Sequence, residues 1–139
     1  MLFQQNILLS KQRELEVWKI ADFGLAKILE TNESLNTFAG TESAYMAPQV
    51  YRRENYTLKA DVWSLGVLFL EIITRDVKGL LPEDTTYFTN LEPSVIESLV
   101  SSMHPVISSI VRHIFSKMVV KDESLRLSIA DIIGEFEVF

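Results

Sequence analysis

The sequence contains no cysteine. That absence excludes disulfides and thiolate metal sites, and it fits a reducing compartment. Basic residues are also scarce: 13 Lys and Arg stand against 19 Asp and Glu, giving a net charge of −6. With no basic excess to neutralise phosphates, neither nucleic acid nor an anionic membrane surface is an expected partner. The two histidines, His104 and His113, lack clustered carboxylates, so structural roles are expected for them. No long apolar run is present. The longest, Val62 to Ile73, is interrupted by Ser64, Gly66 and Glu71, whereas a membrane-spanning helix needs roughly 20 apolar residues. The opening residues, Met1 to Asn6, carry no positive side chain ahead of a short apolar stretch, so no secretory signal is read there. Cytosol or nucleus is the expected address.

What is there suits one globular domain. The chain has 139 residues, 47 % of them hydrophobic, enough for a single core and too apolar for disorder. Ile7-Leu8-Leu9 and Val17 to Ile20 are short β-prone runs separated by the polar stretch Ser10 to Glu16, which predicts a hairpin with a charged loop. Residues 25 to 46 are polar and aperiodic, the pattern of a long functional loop. Lys59 to Thr74 is apolar nearly all round, as a helix at the centre of a domain must be. Ser94 to Met103 and Val106 to Met118 each space apolar residues at helical intervals. Ser128, with Asp131 three residues on, predicts the N-cap of a last helix that buries Ile129, Ile132, Ile133 and Phe136. The expected class is α+β, mostly helical: a hairpin, a long loop and several helices around one buried helix.

Five signals then fall in a fixed order. Asn6-Ile7-Leu8-Leu9 is followed by Asp22-Phe23-Gly24 at the end of a predicted strand; Ala47-Pro48-Gln49 lies 25 residues beyond Asp22; Asp61-Val62-Trp63-Ser64-Leu65-Gly66 comes next; Arg126 sits near the end. This arrangement resembles the C-terminal lobe of a eukaryotic Ser/Thr protein kinase domain, and the resemblance covers the whole chain. It implies that residues 1–24 hold the end of the catalytic loop, the hairpin and the Asp-Phe-Gly turn. Residues 25–49 would be the activation and substrate-docking loop, and residues 50–139 the helical subdomain.

The resemblance also implies roles. Asp22 and Asn6 match the two magnesium ligands of the family, and both offer the oxygen donors a hard cation requires. ATP and magnesium are thus the cofactors expected for an intact parent. The catalytic Asp of the family stands five residues before the matching Asn, which here is Met1. A thioether does not accept a hydroxyl proton. The Gly-rich phosphate loop, the ATP-binding strand Lys and its Glu partner are missing too, so no phosphate transfer is expected from this chain alone. Thr37, three residues before Gly40, resembles an activating phosphorylation site, with Lys27 as its candidate cation. Thr41 resembles the substrate-docking Thr of Ser/Thr kinases, although Gly40 to Tyr45 is one residue longer than the common pattern.

Asp61 resembles the family Asp that holds the catalytic-loop backbone, and its place near a helix N-terminus also suits orphan amides. Gln49 stands where the family has a Glu paired with the buried Arg matched by Arg126. A neutral amide still accepts from a guanidinium but loses the charge-assisted pair, so a weaker bridge is expected. Three readings follow: part of a longer Ser/Thr kinase, a non-catalytic interaction module, or a piece of a pseudokinase. The helices after Leu91 would carry a protein substrate or partner. The central helix, with no covering helix ahead of it in sequence, is expected to expose an apolar face open to association.

Overall fold

Strand β1 (Ile7–Gln12) and strand β2 (Leu15–Ile20) pair antiparallel, with Ile7 opposite Ile20, Leu9 opposite Trp18 and Lys11 opposite Glu16. The computed structural model describes residues 6–12, 15–23, 45–74, 94, 98, 101 and 109–137. The ladder is longer than its apolar runs foretell. Instead of a Ser10 to Glu16 loop, the strands continue until Gln12 faces Leu15. The opposed charges of Lys11 and Glu16 are a favourable cross-strand pair, and polar residues suit the solvated end of a two-stranded ribbon. Side chains alternate between faces, so Ile7, Leu9, Trp18 and Ile20 share one face. Leu8, Leu9, Leu15, Trp18 and Ile20 are all exposed.

Helix α1 (Pro48–Tyr51) is a single turn that straddles the end of the expected 25–49 loop. Proline at its first position is pre-set for a helix and lacks only an amide that would be orphaned anyway. At its far end Glu54 N donates to Gln49 O at 2.9 Å and Arg53 N to Val50 O at 3.1 Å. Arg53 takes a left-handed φ of 57° to close this turn, the conformation usual for the residue just past a helix end.

Helix α2 (Lys59–Thr74) has the expected bounds and the expected place. Val62, Trp63, Val67, Leu68 and Leu70 are buried, and the core they enter includes Met46, Ala47 and Val50 from the α1 region. Helix α3 (Ser109–Met118) closes the core from the other side with Ile114, Phe115 and Met118, followed by Val119. Phe69 and Phe115 meet edge to face, 5.3 Å between ring centres at 64°, a favoured aromatic geometry. The burial of α2 is nearly all round, but Phe69 and Ile72 remain exposed. Positions 94, 98 and 101 are helical; the rest of the expected Ser94 to Met103 helix lies outside the described residues, as do Val106 and Ile107.

A short 3-10 turn, Glu123–Leu125, leads to helix α4 (Ile129–Glu137). Asp122 caps the turn, accepting from Ser124 N at 2.9 Å and from Ser124 Oγ at 2.7 Å. Ser128 caps α4 as its spacing predicts. Its hydroxyl accepts from Asp131 N at 3.1 Å, while Asp131 Oδ2 accepts from Ser128 N at 2.7 Å and Ser128 Oγ at 2.6 Å. This is the reciprocal capping box with Asp in the role usually taken by Glu. The expected burial of the helix is corrected, however. Only Ile132 is buried; Ile129, Ile133 and Phe136 are about half exposed, at 45 %, 51 % and 54 %. Helical spacing identifies which residues share a side, but it does not say whether a neighbour covers that side.

No helix among the described residues is long and apolar enough to cross a membrane.

Candidate functional site

Two places gather the residues that the sequence singles out. The first is the open end of the hairpin. Ala21 N donates to Asn6 O at 2.7 Å, one step beyond the Ile7–Ile20 pair. This bond brings Asn6, from before β1, alongside the segment that leaves β2. Asp22 follows with φ of 58°, a left-handed conformation that Asp tolerates better than most residues because its short polar side chain finds local partners. Asp22 and Phe23 are exposed, and Asn6 is half-buried. The hairpin therefore carries an amide oxygen and a carboxylate on neighbouring backbone at one end. Both are oxygen donors of the hard type that magnesium takes.

The second place lies under α2. Arg126 is 1 % exposed, which is rare for a guanidinium and tolerable only when its donors are satisfied. They are. Nε donates to Val120 O at 3.0 Å and Nη1 to Lys59 O at 2.9 Å. Nη2 donates to Val120 O at 2.7 Å, to Gln49 Oε1 at 3.2 Å and, more distantly, to Lys121 O at 3.4 Å. The guanidinium carbon stands 5.2 Å from the centre of the Trp63 ring, within cation–π range. Burial pushes the Arg126 pKa down to about 10, against the opposing pull of Glu123 and Asp122. The group therefore stays charged at neutral pH.

The Gln49–Arg126 bridge that the sequence reading expected in weakened form is present. The amide also does something the reading missed: Gln49 Nε2 donates to Lys121 O at 2.5 Å. Gln49 thus joins α1 to the residue-121 backbone with both ends of its side chain. Trp63 Nε1, in contrast, is buried with no acceptor among the described residues.

Around this cage the start of α2 is tied to the 3-10 turn. Glu123 Oε1 accepts from Thr57 N at 3.0 Å and from Thr57 Oγ1 at 3.1 Å. Thr57 Oγ1 in turn accepts from Lys59 N at 3.2 Å, so Thr57 satisfies one of the orphan amides at the start of α2. Asp61 itself is half-buried in the first turn of α2, and its charge helps to raise the Tyr56 pKa, chiefly raised by burial. Ser64, fully buried, donates to Tyr45 O at 2.7 Å and to Ala60 O at 3.3 Å. Ser64 was legible in principle. A hydroxyl set inside an apolar helix has to find a partner. Lys27, Thr37 and Thr41 lie outside the described residues, as does Met1, and so does most of the expected 25–49 loop.

The protein kinase domain family model matches residues 2–135. The ovarian-specific serine/threonine-protein kinase Lok of Drosophila melanogaster is 31 % identical over 134 residues, which cover 92 % of this chain and 27 % of that protein. The serine/threonine-protein kinase atg1 of Dictyostelium discoideum is 43 % identical over 72 residues, 52 % of this chain and 11 % of that protein. The G2-specific protein kinase nim-1 of Neurospora crassa is 36 % identical over 72 residues, 52 % of this chain and 8 % of that protein. The chain thus spans about a quarter or less of the length of these curated relatives. With the Asp-Phe-Gly turn at the end of a hairpin, the buried helix α2 and Arg126 beneath it, a match over nearly the whole length leaves one assignment: the chain belongs to the eukaryotic Ser/Thr protein kinase domain family.

Proposed function

We propose that this polypeptide is the C-lobe part of a protein kinase domain that transfers the ATP γ-phosphate to Ser or Thr hydroxyls, and that residues 1–139 by themselves do not carry out the transfer. The observation that carries the first half is the Ala21–Asn6 backbone bond, which sets Asn6 beside the Asp22 turn. Magnesium bound there would supply positive charge to offset that of a nucleotide's phosphates. Asn6 and Asp22 would hold it, Asp22 on an exposed turn. The second half rests on Met1, which stands where the resemblance calls for the proton-accepting Asp, and on the missing Gly-rich loop and ATP-binding Lys. A cytoplasmic or nuclear setting belongs to the same reading. Thr37 with Lys27, and Thr41, remain the proposed regulatory and substrate-docking positions.

The test has two arms. Purified residues 1–139, free of other kinases, are incubated with labelled ATP, magnesium and a Ser/Thr peptide mixture; transfer above background overturns the inactivity. In the second arm manganese, a spectroscopically visible stand-in for magnesium, is titrated in. Binding is expected to be weak and to disappear in the Asp22→Asn, Asn6→Ala double variant. Unchanged manganese binding in that variant removes the metal assignment.

A second reading, a non-catalytic interaction module, is favoured by the exposed apolar residues of the central helix, Phe69 and Ile72, with Ile72 at 57 %. Exposed apolar side chains of this kind support association with a protein partner or a second copy. Sedimentation of the purified chain separates the readings: a strict monomer at high concentration argues against this one.

A further inference from the structure

We infer that the hairpin binds a second copy of this chain edge to edge, the free edge of β1 in one copy pairing antiparallel with the free edge of β2 in the next, in the register that the hairpin already uses within itself. The surface is distinct from the exposed residues of α2, and the inference rests on neither reading above.

The backbone fixes which groups are free. Ala21 N donates to Asn6 O, so positions 6 and 21 form a hydrogen-bonded pair that continues the ladder. In an antiparallel ladder such pairs alternate with pairs whose N–H and C=O groups turn away from the partner strand. Counted along the register, Leu8–Lys19, Ser10–Val17 and Gln12–Leu15 bond to each other, and Ile7–Ile20, Leu9–Trp18 and Lys11–Glu16 turn their backbone groups outward. Among the described residues no hydrogen bond reaches those outward groups, and the sheet has only its two strands.

Edges of this kind are usually guarded by proline or by a bulge. Neither strand contains proline, and the residues pair one to one from Ile7–Ile20 to Gln12–Leu15 without a bulge. At the outward positions Leu9, Trp18 and Ile20 are exposed. Each edge carries a single charge at these positions, Lys11 on β1 and Glu16 on β2, and both are exposed.

Those two charges choose the partner edge. Pairing β1 with β1, or β2 with β2, never sets opposite charges across from one another. Pairing β1 with the β2 of a neighbour sets Lys11 opposite Glu16, Leu9 opposite Trp18 and Ile7 opposite Ile20, repeating the pairs made within the hairpin. Opposite charges directly across two strands are favourable, and like charges are not. The contact is head to tail and leaves one edge free at each end, so copies add in series instead of closing as a two-fold dimer.

Sedimentation velocity of residues 1–139 over a wide concentration range tests this, at low salt because salt screens exposed charges. The wild-type sedimentation coefficient is expected to rise with concentration without a plateau at the dimer. Lys11→Glu alone and Glu16→Lys alone set like charges across the contact, and each should weaken association on the order of fivefold. An equimolar mixture of these two variants should associate better than either. Every contact between unlike copies again joins a carboxylate to an ammonium, while the pair within each hairpin stays mismatched. The double variant Lys11→Glu, Glu16→Lys keeps its internal pair. It should associate with itself as wild type does, yet recruit a trace of labelled wild type poorly.

A wild type that stays monomeric overturns the inference. Association indifferent to the charge variants also overturns it and places the contact elsewhere, as does a mixture no better than its components. If circular dichroism shows the single variants unfolded, the double variant decides: sorting from wild type supports the edge contact, and free mixing with wild type overturns it.

Discussion

Gly66 of α2 lies so close to Val119 that a Cβ placed on it would stand 2.7 Å from Val119 Cγ2 and 3.0 Å from Met118 Cβ. Neither neighbour is the free end of a long side chain, so neither can swing aside. Helix α2 and the end of α3 touch at this point because residue 66 has no side chain.

Gly66→Ala is therefore expected to destabilise the chain, although alanine favours a helix over glycine by about 1 kcal/mol. Overpacking of a tight core costs about 1–3 kcal/mol, and it should outweigh the helical gain. Urea unfolding measures the difference. Adding Val119→Ala removes the clashing methyl, so the double variant should lose less than the sum of the two single losses.

Ser64→Ala should cost about 0.5–1.5 kcal/mol, the net worth of an intramolecular hydrogen bond. The bond lost is the one from Ser64 Oγ to Tyr45 O, 2.7 Å long. Amide hydrogen exchange should accelerate most in residues 45–51, ahead of any change in α3. Uniform acceleration everywhere would point instead to a general loss of packing.

How much of this was legible in the sequence varies with the kind of signal. Helix α2 was readable to its ends, because an apolar run of that length has one soluble solution. The Ser128 cap was readable because capping chemistry is local. The exposure of Ile129, Ile133 and Phe136 was not, since it depends on what packs against α4. The hairpin was underestimated because Lys11 and Glu16 look like loop residues until each is placed opposite the other. Gln49 shows a third case. Its acceptor role followed from the resemblance, but its donor role depends on where the Lys121 carbonyl lies, which no local pattern records.

Acid should weaken both caps. The Ser128 side-chain and backbone hydrogen bonds hold the Asp131 carboxyl below its ordinary value of 3.8, and the Ser124 bonds do the same for Asp122. A folded-state pKa below the unfolded one means that the stabilisation is present above the unfolded value and is lost as pH falls through the folded one. Asp131→Asn removes one titrating group. Between about pH 5 and about pH 2 its melting temperature should fall less steeply than that of wild type, as followed by circular dichroism.

Arg126→Lys should be severe despite conserving the charge. One ammonium cannot reach Val120 O, Lys59 O and Gln49 Oε1 together. A loss of about 3 kcal/mol is expected, as for a buried charge deprived of its partners. Trp63 fluorescence in a denaturant titration reports it directly. A lysine variant as stable as wild type would mean that the cage relaxes more freely than its hydrogen bonds imply.

The bonds that hold the cage together join residues far apart along the chain: Arg126 to Lys59 across 67 positions and Arg126 to Gln49 across 77. During synthesis at roughly 5–20 residues per second, α2 emerges several seconds before the residue that covers Trp63. For that interval Trp63 of α2 lacks its Arg126 neighbour. A nascent chain of this kind is exposed to chaperones, and to its neighbours on the same message, before Arg126 arrives to close the cage.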